Sequence, residues 1–230
     1  MCQICDNAYE GLQTLYIDDC NHITNIPNIE GLQTLYIDNC NNITNIPNIE
    51  GLIILRINRC DNIVTIPNIE GLRELCLVEC LNFTNIPIIK GLKKLIIRHM
   101  PKIIYIPNIE GLHYLYIYYC YNITNIANIK GLQRLYIYRT INIRYIPIID
   151  GLNWLIINHC KNINSIHTIL NKNDNVKEFN SINKIKRWYK RMKFSKKLWI
   201  YAELVMMDSM NPHKENNKYL EQYINNKVYN

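Results

Sequence analysis

All eight glycines of the chain stand at one spacing: Gly11, Gly31, Gly51, Gly71, Gly91, Gly111, Gly131 and Gly151, each followed by leucine. The interval is 20 residues throughout, and residues 11–30 and 31–50 differ only at Asp19 against Asn39 and His22 against Asn42. A period this regular specifies a repeat array, because each copy is one small structural unit stacked on the next. One copy alone cannot fold. Its seven inward side chains do not offset the conformational entropy lost in ordering twenty residues, and both of its flat sides face water.

Within the second copy the apolar or thiol positions are Leu32, Leu35, Ile37, Cys40, Ile43, Ile46 and Ile49. Leu35-Tyr36-Ile37-Asp38 alternates, so it predicts a short strand with Leu35 and Ile37 facing inward. After Cys40 the apolar interval becomes three residues, and Pro47 forbids a regular helix there while pushing Ile46 toward extended geometry. Polyproline-like or single-turn structure is therefore expected on the back of the repeat. Gly51 then turns the chain into the next strand, using a backbone conformation open to a residue without Cβ.

The pattern L-x-x-L-x-I-x-x-C-x-x-I-x-x-I-P-x-I-x-G resembles the leucine-rich repeat, in its short, helix-poor class, with cysteine where many members carry asparagine. The resemblance covers residues 11–170, eight copies. It implies a β-rich solenoid, a horseshoe with one parallel β-sheet whose strands line a concave surface where ligands commonly bind. Similar proteins occur in bacterial effectors and in large DNA viruses of amoebae. The Asn- and Ile-rich vocabulary suits the latter, which would place the protein in the host-cell cytoplasm.

Outward strand positions vary from copy to copy while inward ones do not. The face is acidic early (Asp18, Asp19, Asp38), basic in the middle (Arg56, Arg59, Lys93, Lys94, Arg98) and aromatic late. The late zone gathers Tyr114, Tyr116, Tyr118, Tyr119, Arg134, Tyr136, Tyr138 and Trp154. Tyr, Trp and Arg dominate the energetics of protein interfaces, so a protein partner is expected on this zone, with Arg56, Lys94 and Arg98 beside it. Plain cross-strand stacking of Tyr116 on Tyr136 and Tyr118 on Tyr138 is the competing reading, and the two coexist.

Six cysteines, Cys20, Cys40, Cys60, Cys80, Cys120 and Cys160, share one repeat position, with Met100 and Thr140 completing the column. A linear column does not converge on a tetrahedral metal, so these read as small buried side chains. Cys2 and Cys5 form a C-x-x-C whose only nearby further ligands are Cys20 and His22. No cofactor or metal is expected. Catalysis finds little support, since the six histidines have no metal-ligand spacing, every glycine serves a repeat corner, and no serine sits in a nucleophile elbow.

Residues 1–10 align with the second half of a repeat, Tyr9-Glu10 matching Ile29-Glu30. An uncapped first strand, or a truncated reading frame, follows from that alignment. The beginning has no basic n-region and no apolar h-region, so no secretory signal is read there. The nine cysteines are then expected to stay reduced in a cytoplasmic monomer. No apolar run approaches the length of a membrane-spanning helix.

Charge divides the chain. Residues 1–170 hold 13 Lys/Arg and 13 Asp/Glu, whereas residues 171–230 hold 13 and 6, a net of +7. The repeat frame decays after Asn164, residues 171–180 read as a linker, and 181–230 read as a basic α-helical cap or tail. Lys184, Lys186, Arg187, Lys190, Arg191, Lys193, Lys196 and Lys197 place eight cations in fourteen residues without one acid. Basic residues interleaved with aromatics on a helix suit nucleic acid or anionic lipid as well as a capping role. The segment IKRWYKRMKF resembles the calmodulin-binding IQ motif only in part: Ile185 and Lys190 fit, while Lys186 and Arg191 depart from it.

Overall fold

The computed structural model describes residues 4–5, 9–160, 162–163 and 165–166. The chain divides into two units, Met1–Glu178 and Phe179–Asn230, and all described residues lie in the first. They form a parallel β-solenoid. Its strands are β1 (Thr14–Asp18), β2 (Thr34–Asp38), β3 (Ile54–Asn58), β4 (Glu74–Val78), β5 (Lys94–Arg98), β6 (Tyr105–Ile106), β7 (Tyr114–Tyr118), β8 (Asn125–Ile126), β9 (Arg134–Tyr138), β10 (Tyr145–Ile146), β11 (Trp154–Asn158) and β12 (Ser165–Ile166). Among the described residues there is no helix.

The eight five-residue strands make one sheet in the order β1-β2-β3-β4-β5-β7-β9-β11, all pairs parallel. Each residue pairs with the one 20 positions on, as in Leu15↔Leu35 and Ile117↔Ile137. The sequence period is thus the register itself, and a one-residue slip would turn every inward leucine to solvent. The expected inward columns form the core: Leu35, Leu55, Leu75, Leu95, Leu115 and Leu135 are fully buried, as are most of the isoleucines behind them. Phe83 fills the place of one such isoleucine and is equally buried.

Backbone geometry explains how a coil of twenty residues closes. Gly51 adopts φ +82°, and at Gly131 (φ +85°) an added Cβ would meet nothing within 4 Å. Conformation alone therefore selects glycine at this corner. The opposite corner, one residue after each strand, also has positive φ, but its occupants are ordinary residues, from Asp19 (φ 51°) through Tyr119 (φ 54°) to His159 (φ 56°). Their amides extend the ladder beyond the sheet: Asp19 N–H donates to Asp38 O at 2.9 Å and Tyr119 N–H to Tyr138 O at 2.9 Å. This second left-handed corner is not evident in the sequence, because no glycine marks it.

On the back, two-residue strands pair where the later coil of the pair has no proline: β6 with β8, which precedes Ala127, and β10 with β12, which precedes His167. Proline has no amide to continue such a ladder. Where Ala127 stands in the proline column, its N–H donates to Ile106 O at 2.9 Å. Asparagines stitch neighbouring coils nearby, Asn122 Nδ2 donating to Pro101 O at 2.6 Å and Asn42 Nδ2 to Asn21 O.

The cysteine column is buried, as expected, and it also bonds the backbone. Cys40 and Cys60 Sγ each donate to the carbonyl two residues before them, Asp38 O and Asn58 O, at 3.1 Å. Each also accepts from the amide one coil earlier, Cys20 N at 3.3 Å and Cys40 N at 3.4 Å. Thr140 continues the pattern, with its hydroxyl donating to Tyr138 O at 3.4 Å. A small side chain with one donor and one acceptor is what this place selects, and the thiol serves as a hydrogen-bonding group as well as a packing one. Burial pushes the Cys40, Cys60, Cys80 and Cys120 thiols up to about 12.

Candidate binding face

Strand positions one, three and five point away from the core, as the alternation predicts. Not all of them are displayed. Arg98 is 2% exposed, Tyr118 1% and Tyr138 7%, and Asp38, Asn58 and Val78 are buried beside them. The expectation that Arg98, Tyr118 and Tyr138 stand open on the surface is therefore corrected. Tyr118 lies against the Tyr116 and Tyr136 rings, whereas at Asp38, Arg98 and Tyr138 the left-handed corner of the next coil turns its side chain back over the strand end. Arg59 lies on Asp38, donating from Nη2 at 2.7 Å and Nε at 3.1 Å. Arg98 lies with its guanidinium 5.5 Å from the Tyr119 ring, and His159 packs edge-on to Tyr138 at 5.3 Å.

The early and middle zones are joined by ion pairs. Asp38 accepts from both Arg59 and Asn58, the latter at 2.8 Å. Glu74 sits between Arg56 at 2.6 Å and Lys94 at 3.2 Å. Arg56 also covers the Tyr36 ring at 5.5 Å, while Tyr36 stacks on Tyr16 at 4.7 Å. Arg56 and Lys94, predicted as partner-binding cations, thus have Glu74 as a fixed counter-ion. Cys76 and Ile96, both facing away from the core, are buried between these groups.

The late zone differs. Tyr114, Tyr116, Arg134 and Tyr136 are half-buried and Trp154 is 40% exposed. Arg134 lies between two rings, 5.5 Å from Tyr114 and 5.2 Å from Trp154, its register partners on the flanking strands. Tyr116 reaches Tyr136 at 6.4 Å, and Tyr118 packs against Tyr136 at 5.0 Å. Of the two stacks expected from register, Tyr116 and Tyr136 meet as a tilted pair, and Tyr118 packs against Tyr136 across a diagonal. Arg139 adds a second cation, 5.6 Å from both Tyr119 and Tyr138. His99 stacks on Tyr119 at 4.6 Å. Arg139, His99 and His159 escaped the strand-based reading because they occupy the corner. Pairing the corner residue of each copy with the strand end of the copy before would have found them.

Cys5 is exposed and its Sγ lies 3.4 Å from Cys20 Sγ, while Cys2 lies outside the described residues. Among the described residues no three His, Cys, Asp or Glu side chains are arranged to hold a metal ion, and no helix is long and apolar enough to cross a membrane. The basic residues Lys184, Lys186, Arg187, Lys190, Arg191 and Lys193 lie outside the described residues, as do the linker and the expected C-terminal helices.

The described unit belongs, by fold, to the parallel β-solenoids. No protein-family model, no curated protein and no solved structure matches the chain.

Proposed function

We propose that the solenoid is of the leucine-rich-repeat type and serves as a non-catalytic, cytoplasmic scaffold that binds a protein partner on the open face of its sheet, at the aromatic end. The observation that carries this reading is the contrast between columns. Side chains facing the core repeat almost unchanged, whereas the outward columns change along the stack: Tyr114, Arg134 and Trp154 stand where the first two copies have Thr14 and Thr34, and with Tyr116 and Tyr136 they are half-buried to exposed on β7, β9 and β11, consecutive strands of one sheet. Rigid aromatic anchors lose little conformational freedom on binding, which favours affinity.

The test is capture from host-type cytoplasmic extract with immobilised full-length chain. Substituting Tyr116→Ala together with Tyr136→Ala is expected to abolish capture. Retention of the same partner by that variant, shown folded by an unchanged far-ultraviolet spectrum, overturns the proposal. A second reading rests on the eight cations from Lys184 to Lys197, whose chemistry suits nucleic acid or anionic lipid. Replacing Lys184, Lys186, Arg187, Lys190, Arg191 and Lys193 with glutamine would then abolish salt-sensitive retention on heparin and on anionic vesicles.

A further inference from the structure

Charge is distributed unevenly along the solenoid. Residues 11–90 hold four Lys/Arg and nine Asp/Glu, a net of −5, and residues 91–160 hold eight and two, a net of +6. The two acids of the second stretch, Glu110 and Asp150, both stand immediately before a corner glycine, and neither lies on the strands of the sheet. The nearest acid on those strands, Glu74, is already engaged by Arg56 and Lys94. Among the described residues, neither Arg134 nor Arg139 has a carboxylate partner.

Both guanidiniums are instead held by rings, Arg134 by Tyr114 and Trp154, and Arg139 by Tyr119 and Tyr138. A guanidinium restrained by aromatic contacts keeps its N–H donors at the edge, in the fork geometry that matches a carboxylate. Restraint by the rings also lowers the entropy lost when an anion is bound. The two arginines stand at the start of β9 and one residue beyond its end, so one strand length, about 16 Å, separates their backbones. An extended peptide rising about 3.3 Å per residue covers that span in about five residues.

We infer that the partner presents an acidic, extended segment to this face, with carboxylates about four or five residues apart engaging Arg134 and Arg139. The inference rests on the reading of the face as a protein-binding surface and names the chemistry of what it takes. A nucleic-acid strand is the less suitable occupant. Sequence-tolerant binding of single strands uses open ring faces for base stacking, and here guanidiniums already lie against Tyr114, Trp154, Tyr119 and Tyr138.

The experiment is fluorescence anisotropy with the full chain and three labelled probes: a short oligoglutamate, its oligoglutamine counterpart, and an oligothymidylate of matching charge. Oligoglutamate is expected to bind in a salt-sensitive manner, and oligoglutamine is expected not to. Arg134→Gln with Arg139→Gln weakens oligoglutamate binding at least about tenfold, as expected for losing charged hydrogen bonds. Arg134→Lys with Arg139→Lys keeps the charge without the fork and gives an intermediate loss. It also serves as the readout if the glutamine variant does not fold. Replacing the tail cations Lys184, Lys186, Arg187, Lys190, Arg191 and Lys193 with glutamine leaves an Arg134- and Arg139-dependent component of oligoglutamate binding in place. Oligoglutamate binding that ignores both arginine variants, or that vanishes with the tail variant alone, overturns the inference. So does tighter, arginine-dependent binding of oligothymidylate. Failure here with capture still abolished by Tyr116→Ala and Tyr136→Ala removes only the charge assignment. Capture that survives those tyrosine changes removes the face itself.

Discussion

Replacing Cys60 separates what its thiol contributes by shape from what it contributes by hydrogen bonding. Its Sγ is buried, donates to Asn58 O at 3.1 Å and accepts from Cys40 N at 3.4 Å. Valine and threonine have nearly the same volume, so Cys60→Val and Cys60→Thr should crowd the coil equally, while only threonine retains a donor and an acceptor. Valine leaves the Cys40 amide without this partner in a water-free interior, while the Asn58 carbonyl still accepts from Asn39 N–H at 2.9 Å. An unsatisfied buried group of this kind costs about 1–3 kcal/mol. Threonine has a local precedent in Thr140, fully buried in the same column with its hydroxyl bonded to Tyr138 O. The expected order of stability is therefore wild type, then Cys60→Thr within about 1.5 kcal/mol of it, then Cys60→Val lower by a further 1–3 kcal/mol or so. Cys60→Ala exchanges the crowding of valine for a small cavity, loses the same hydrogen bonds, and falls in the same range as valine, about 2–4 kcal/mol below wild type. Urea unfolding of the full-length variants, followed by far-ultraviolet circular dichroism, measures the differences at constant slope. Equal midpoints for the valine and threonine variants would refute the hydrogen-bonding role and leave the column as packing alone.

Two further outcomes follow from the same geometry. The Cys40, Cys60, Cys80 and Cys120 thiols titrate near 12 in the folded chain against 9.0 ordinarily, so the folded state holds protons that the unfolded chain releases. The stability they contribute is intact below about pH 9 and is lost between 9 and 12, at about 1.4 kcal/mol per pH unit for each thiol. Cys60→Thr should make that alkaline decline shallower by one thiol's share, measurable from urea midpoints across the range. Gly131→Ala, whose new methyl meets open space at φ +85°, is expected to cost about 1–2 kcal/mol from conformation alone, again read as a urea midpoint.

Much of the fold is legible in the sequence. The 20-residue glycine interval predicted the register, since each Leu15↔Leu35 type of pairing simply repeats it. Alternation through Leu35 and Ile37 predicted which faces are buried, and Pro47 and its equivalents predicted that no helix forms on the back. These features are legible because they depend on local rules, backbone conformation and period, that act the same way in every copy.

The binding face was legible only in part, and Tyr118, Arg98 and Arg139 show why. Alternation says that Tyr118 and Arg98 point away from the core, yet both are buried: Tyr118 lies against the Tyr116 and Tyr136 rings, and at Arg98 a corner residue from the next coil folds over the strand end. Tyr119 meets Arg98 in this way, and Arg59 meets Asp38. These contacts join residues 21 positions apart, one more than the repeat, so no column of aligned copies displays them. Positive φ at the corner is imposed on Asp19, Tyr119 and His159 alike by the closing of the coil, with no glycine to announce it. The sequence by itself determined the stack, its register and its core, through periodicity. Only the tertiary structure decided which outward side chains stay open and which cations already have a counter-ion, because both depend on how adjacent coils lean on one another.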